Sequence, residues 1–196
     1  MHDRSSKNEI MNSIKNTINN SASVFITSLS YYCFSVANFR LLAFSRYSEG
    51  IHWIYLPSGV VLISILLFAE NGAFGIAIAS TLITLQYYVH DDLITAIGNG
   101  VITGFAPLAA RAFCVSKLKI DANLNNLNGS SLMIMSILFC LLKVFMRELW
   151  LNLRGHQNHA QYTVLVSIVG DFIGALAILY LAKIIIFSVG TLRNRI

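Results

Sequence analysis

The sequence predicts an all-α membrane protein, a polytopic bundle of about six transmembrane helices. Three observations predict it. Of 196 residues, 56% are hydrophobic and only 12% are charged, where soluble domains carry roughly 25% charged residues. The apolar residues fall in long blocks, and the charged ones sit mostly between them. About 20 apolar residues carry a helix across a bilayer, and six such spans leave only short loops and two tails. No soluble catalytic or DNA-binding domain fits in that remainder, so the net charge of +5 reports orientation rather than nucleic-acid binding.

Residues 1–19 are polar and mixed in charge, and read as a cytosolic tail able to form an interfacial helix at its end. A secretory signal would place its apolar stretch earlier, so the first span is expected to act as its own uncleaved signal. A single transmembrane domain covers 20–190, with spans at about 22–44, 52–69, 73–89, 93–113, 132–150 and 162–188. Residues 191–196 form a second short tail.

The second span has a broken or re-entrant start. Pro57 and Gly59 interrupt it, and the stretch from Pro57 to Glu70 gives only ~20 Å of helix at 1.5 Å per residue. The hydrocarbon core is ~30 Å thick, so HWIYLPSG must finish the crossing as a bent or irregular segment. Irregular backbone at that depth is tolerated only when buried in protein or lining a cavity. Glu70-Asn71-Gly72 is read as a tight turn, His90-Asp91-Asp92 as the next connection, and 115–130 as the longest inner loop. Trp53, Tyr55 and Trp150 fall near the expected membrane surfaces, as interfacial aromatics do.

With six spans, nine of the fourteen Lys and Arg residues lie on the side holding both termini and the 115–130 loop. The positive-inside rule then makes both termini cytoplasmic. The halves of the chain share no inverted repeat. Cys33, Cys114 and Cys140 lack metal-type spacing and read as small buried side chains. All five histidines lie in tails or loops. His156 and His159 share one loop as a weak metal candidate, and no metal site or cofactor is assigned. No nucleophile elbow, P-loop or H-E-x-x-H motif is present, so no enzyme is expected.

A charge inside a span is expensive and marks a site by default. Ser136, Cys140, Lys143 and Arg147 share one face of the fifth span at 3.6 residues per turn. Lys143 and Arg147 either face the bundle interior or snorkel to the headgroups. Asp171 lies well inside the sixth span, on a face with Ser167, Gly170 and Gly174. Its partner is Lys143, Arg147 or Arg40, and the group is either a structural ion pair or a ligand, ion or proton site. Gly170-x-x-x-Gly174 admits a neighbouring helix closely. The fourth span repeats the pattern with Thr95, Asn99 and Thr103 beside Gly100-x-x-x-Gly104. The first span adds Ser28, Tyr31, Ser35 and Asn38. Asp171, Asn99, Lys143, Arg147 and Arg40 form the candidate intramembrane polar site. The polar faces either line one central cavity or make separate helix contacts.

Three segments, 56–80, 96–113 and 167–185, together resemble the bacterial membrane-associated sensor domain of the first type. The resemblance rests on Pro57-Ser58-Gly59, Phe68, Gly72 and Gly75, on Ala96, Gly98 and Asn99, and on Gly170, Asp171 and Gly174, and covers about a third of the chain. It implies a multi-helix sensor in the bacterial inner membrane, with Pro57, Gly59, Gly98, Gly170 and Gly174 as its structural motif. Such domains usually precede a kinase or cyclic-di-GMP enzyme. The present sequence is shorter than their eight helices and reaches Ile196 without an output domain, so a sensor role implies a separate membrane or cytoplasmic protein partner carrying the output activity. The alternatives are a substrate-binding membrane subunit of a vitamin-type transporter, or a non-catalytic scaffold.

Overall fold

A computed structural model describes residues 2–48, 50–88, 92–117, 129–155 and 162–193, with side chains from residue 15 to 185 within those ranges. Among them are five α-helices: α1 (His2–Leu41), α2 (Pro57–Tyr87), α3 (Leu93–Lys117), α4 (Gly129–Leu153) and α5 (Thr163–Arg193). Four helices are long and apolar enough to cross a membrane: α2, α3, α4 and residues 163–185 of α5. The sequence predicted six spans, and the difference lies in α1 and α2.

α1 replaces both the expected tail and the first span with one helix of 40 residues. Its apolar half is diluted by hydroxyl and amide side chains, which keeps it outside the set of four. Those side chains face inward. Thr27, Tyr31, Ser35 and Asn38 are buried, while Phe25, Ile26, Leu29 and Phe34 are exposed. Ser28 donates to the Gly75 carbonyl of α2 at 2.8 Å.

The predicted second and third spans are joined in α2, which contains one non-helical residue, Ala69, at φ 48° and ψ −117°. The chain reverses there. A straight helix of 31 residues would part its ends by about 46 Å, yet the ring of Tyr88, just past α2, lies against Gly50, just before it. Gly72 likewise meets the Ser64 carbonyl, which a straight helix would hold ~12 Å away. A side chain at Gly72 would block this return. At the same end, Asn71 donates to Asn20 of α1 at 3.0 Å.

Between α1 and α2 a short 3-10 turn (Ala43–Ser45) leads to β1 (Arg46–Ser48) and β2 (Ile51–His52), an irregular antiparallel pair. Gly50 turns it, with φ 73°. Residues 53–56 then run without regular structure into Pro57. Asn38 accepts a hydrogen bond from the Leu56 amide at 3.0 Å, and Pro at the first helical position needs no partner for a missing N–H.

The apolar core joins α1 to α5. Tyr31, Val61, Leu62, Ile65, Ala73, Ile76, Ala110, Met135, Phe139, Cys140 and Ala175 pack together. Small residues set the helix spacing: Gly100 and Gly104 of α3 lie against Ala73, Ala77 and Thr81 of α2. The exterior is apolar as well. Leu67, Phe74, Leu82, Val101, Phe145 and Tyr180 are exposed, while Ser58, Ser80, Thr84, Thr95, Thr103, Ser136 and Ser167 are buried. Soluble monomers rarely expose large contiguous apolar patches; an apolar exterior around a partly polar interior is the arrangement a lipid solvent requires. Cys114 and Cys140 are buried as expected, but Cys33 is exposed. It lies on the outward face of α1 beside Phe34.

Candidate functional site, a polar cavity beneath the 46–56 segment

Eight residues into α5, about 12 Å along its axis from Thr163, Asp171 faces the interior at 4% exposure. Lys143 of α4 meets it at 3.0 Å and is buried equally deeply. Snorkelling is thereby corrected: burial in a bilayer leaves a lysine stable only when a counter-charge is within reach, and here the counter-charge is one helix away. Ser58, in the first turn of α2, also donates to Asp171. The carboxylate therefore sits at a helix N-terminus, where the macrodipole favours negative charge. Lys143 completes its surroundings with the Tyr55 ring, 5.0 Å from the ammonium to the ring centre.

Gly170 and Gly174 do admit a close neighbour, chiefly the irregular 52–56 backbone, with Gly59 of α2 also against the Gly174 carbonyl. Gly170 faces the His52 carbonyl and Gly174 the Tyr55 carbonyl, and the Tyr55 amide donates to the Gly170 carbonyl at 3.1 Å. The irregular 52–56 backbone lies along the glycine face of α5. That satisfies the rule that non-helical backbone at depth must be covered by protein. Gly59 continues the contact against Ile178. Pro57, buried, starts the helix. Gly98 of α3 lies under the indole of Trp150, whose Nε1 donates to the Thr95 carbonyl at 3.1 Å.

Arg147 lies one turn beyond Lys143. One terminal nitrogen donates to Glu148 and to Ser167, each at 3.0 Å. Asn99 donates to Thr84 of α2 at 2.8 Å, the cross-helix bond its position predicts. Arg40 does not join them. It is exposed at the end of α1, because the buried face of that helix runs through Tyr31, Ser35 and Asn38.

These side chains line a partly open cavity of about 40 Å³, with Asp171, Lys143, Arg147, Asn99, Thr103, Ser167, Tyr31, Ser80, Thr84, Tyr88, His52 and Tyr55 on its wall. The polar faces meet at this cavity and also make separate helix contacts, such as Asn99 with Thr84 and Ser28 with the Gly75 carbonyl. Four of the five candidate residues line the cavity. Four of the lining residues carry buried polar atoms with no hydrogen-bond partner: both ring nitrogens of His52, the Tyr88 hydroxyl, Asn99 Oδ1 and Arg147 Nε.

No protein-family model matches this chain, and no curated protein or solved structure is significantly similar to it. The chemistry must be read from the cavity itself.

His52, Tyr55, Ser58 and Tyr88 are site residues that the sequence reading missed. Tyr55 was expected at the membrane surface, but its hydroxyl lies 3.1 Å from that of Tyr31. His52 reads as a loop residue in sequence and is 3% exposed in the fold. The signal that could have found both was the shortness of the helix after Pro57, which required 52–56 to enter the bundle. At the surface beyond the cavity, Arg154 pairs with Asp92 at 3.0 Å, and Asp92 caps α3 by accepting the Thr95 amide at 2.9 Å. The described residues hold no cluster of three metal-ligating side chains; the His156–His159 candidate lies outside the described residues, as does most of the expected 115–130 loop.

Proposed function

We propose that this chain is an integral membrane receptor, a sensor-like or accessory protein of the bacterial inner membrane. It binds a small polar ligand in the cavity and passes the signal to a separate output protein. The observation that carries this reading is the convergence of α1 to α5 and the 50–56 segment on one cavity whose lining residues carry unpartnered buried polar atoms. Buried polar atoms are satisfied by protein or by ordered water, so unpartnered atoms around one cavity support a polar occupant there. The resemblance to the bacterial membrane-associated sensor domain supports the sensor class and the inner-membrane location. The 52–56 backbone offers a route for signal: it lines the cavity and rests on α5, so a ligand that moves it changes the packing of the last helix. We read the protein as non-enzymatic, since the cavity presents an ion pair rather than an activated nucleophile.

The topology we propose has six passes, with the two arms of α2 as the second and third. Both termini then lie on the side richer in Lys and Arg, the cytoplasm, and the 46–56 segment lies on the opposite side. Cysteines placed at Asn71 and Ser48 should label from opposite faces of the membrane. Labelling from the same face would overturn the six-pass arrangement.

A vitamin-type transport subunit is the second reading. The cavity volume of about 40 Å³ favours a ligand of a few heavy atoms over a vitamin. Native mass spectrometry from nanodiscs tests both. The receptor reading expects a small bound mass that disappears in Asn99→Leu, which fills the cavity. Co-purification of an ATPase would move the assignment to transport, while the absence of any bound mass and of any cavity-dependent stabilisation would remove both.

A further inference from the structure

We infer that the cavity's ligand is a small hydroxylated anion, a hydroxycarboxylate or a protonated phosphate, held by Arg147. This rests on the ligand-binding reading above and names the ligand's chemistry.

Charge decides the sign. The formally charged groups on the lining are Lys143, Arg147 and Asp171, two cations against one anion. Asp171 takes Lys143 and Ser58 on Oδ1, which pairs the Lys143 charge and leaves Oδ2 as an acceptor for a ligand hydroxyl. Arg147 is less completely used. Its carboxylate partner Glu148 lines the outer apolar groove with Leu141, Phe145 and Val164 rather than the cavity. Both bonds of Arg147 leave from Nη2 and Nε is buried without a partner, so donors of the guanidinium fork remain for an oxyanion. Arginine is suited to that contact by its planar, permanently charged donor array. Lys143 and Asp171 offset one another, so Arg147 is the net charge on the lining.

The remaining unpartnered atoms add a second requirement. Tyr88 and one nitrogen of His52 can donate to an anion's oxygens. Asn99 Oδ1 carries no hydrogen and can only accept, while the Asn99 amide nitrogen donates to Thr84; the second nitrogen of a neutral His52 also accepts. These acceptors need a donor from the ligand. Acetate and nitrate carry none. Glycolate, lactate and dihydrogen phosphate carry a hydroxyl beside the negative charge, and so match both sets of groups. His52 is nine-tenths buried and more, which places these contacts away from bulk water, where each is strengthened.

The test is thermal unfolding of the full chain in a neutral maltoside detergent, with sodium salts at constant ionic strength. Glycolate and phosphate should raise Tm saturably, with acetate and nitrate at least about tenfold weaker, the smallest effect expected for losing a hydrogen bond to a charged group. Arg147→Gln should abolish the rise. Tyr88→Phe, which removes one oxygen and keeps the ring, should weaken it and guards against a misfolded arginine variant. Equal responses to all anions, or a response that survives in both variants, would overturn the inference. Stabilisation by ethylene glycol or ethylammonium but by no anion would overturn it while leaving the receptor reading standing. No saturable response to any of these probes would remove both. If phosphatidylglycerol alone reproduces the effect and the free anions do not, the anionic group belongs to a lipid headgroup and the free-ligand inference fails.

Discussion

The two ends of the bundle are built on different physics. Toward the Ala69 turn, α1, both arms of α2, α3 and α4 pack through Leu62, Ile65, Ala73, Ile76, Ala110 and Met135, with Gly75, Gly100 and Gly104 letting backbones meet. Toward the 46–56 segment, the interior is an ion pair, an arginine, hydroxyls and an irregular backbone around a cavity. Lipid gives no hydrophobic drive for helices to associate. The first end therefore coheres by close fit, and the second by polar groups that have no alternative partner in hydrocarbon. Close fit leaves no room for a ligand, whereas a polar network does, and the cavity lies where the network is.

Four substitutions sharpen or break this comparison. The largest effect should come from Asp171→Ala, which leaves Lys143 buried without its partner. About 3–5 kcal/mol of stability should be lost, read by thermal or denaturant unfolding in detergent. The double variant Asp171→Leu with Lys143→Met should recover most of it. If Asp171→Ala alone unfolds no more easily than the parent, the ion pair does not hold the polar end. Next is Gly104→Val at the close-fit end, where the added side chain meets the Ala73 carbonyl. A loss of about 1–3 kcal/mol is expected, with ligand response retained. Loss of ligand response without loss of stability would show that the two ends are not separable.

Smaller again is Asn99→Ala, which removes the bond to Thr84. Interhelical bonds of this kind contribute ~0.6–2 kcal/mol in membranes, and a double-mutant cycle with Thr84→Val should return a coupling of that size. A coupling of zero would assign Asn99 to the cavity alone. Arg40→Ala should be the smallest, within about 0.5 kcal/mol, as for exposed residues away from specific contacts. A large effect there would return Arg40 to the polar site from which the fold removes it.

Much of the site is legible in the sequence. Asp171, Lys143 and Arg147 stood out because charges within apolar blocks are rare and need partners. Asn99 and Thr103 followed from helical periodicity, which places residues three and four apart on one face. The Pro57 break and the shortness of the helix after it showed that the chain enters the bundle irregularly. His52, Tyr55 and Tyr88 escaped because nothing local distinguishes a loop aromatic at a membrane surface from one drawn inside. The choice of Lys143 over Arg147 and Arg40 also escaped, since helical phase says which side a residue faces but not which neighbour stands there.

The sequence by itself determined that this is a helical membrane protein with polar inner faces, because composition and periodicity are properties of single segments. Only the tertiary structure decided which faces meet. It turned α2 back at Ala69, laid the 52–56 backbone and the first turn of α2 on Gly170 and Gly174, and gathered the polar faces around one cavity. Those outcomes depend on contacts between residues far apart in the chain, such as Ser58 with Asp171. Such contacts form only where shape and charge fit together, which no local pattern encodes.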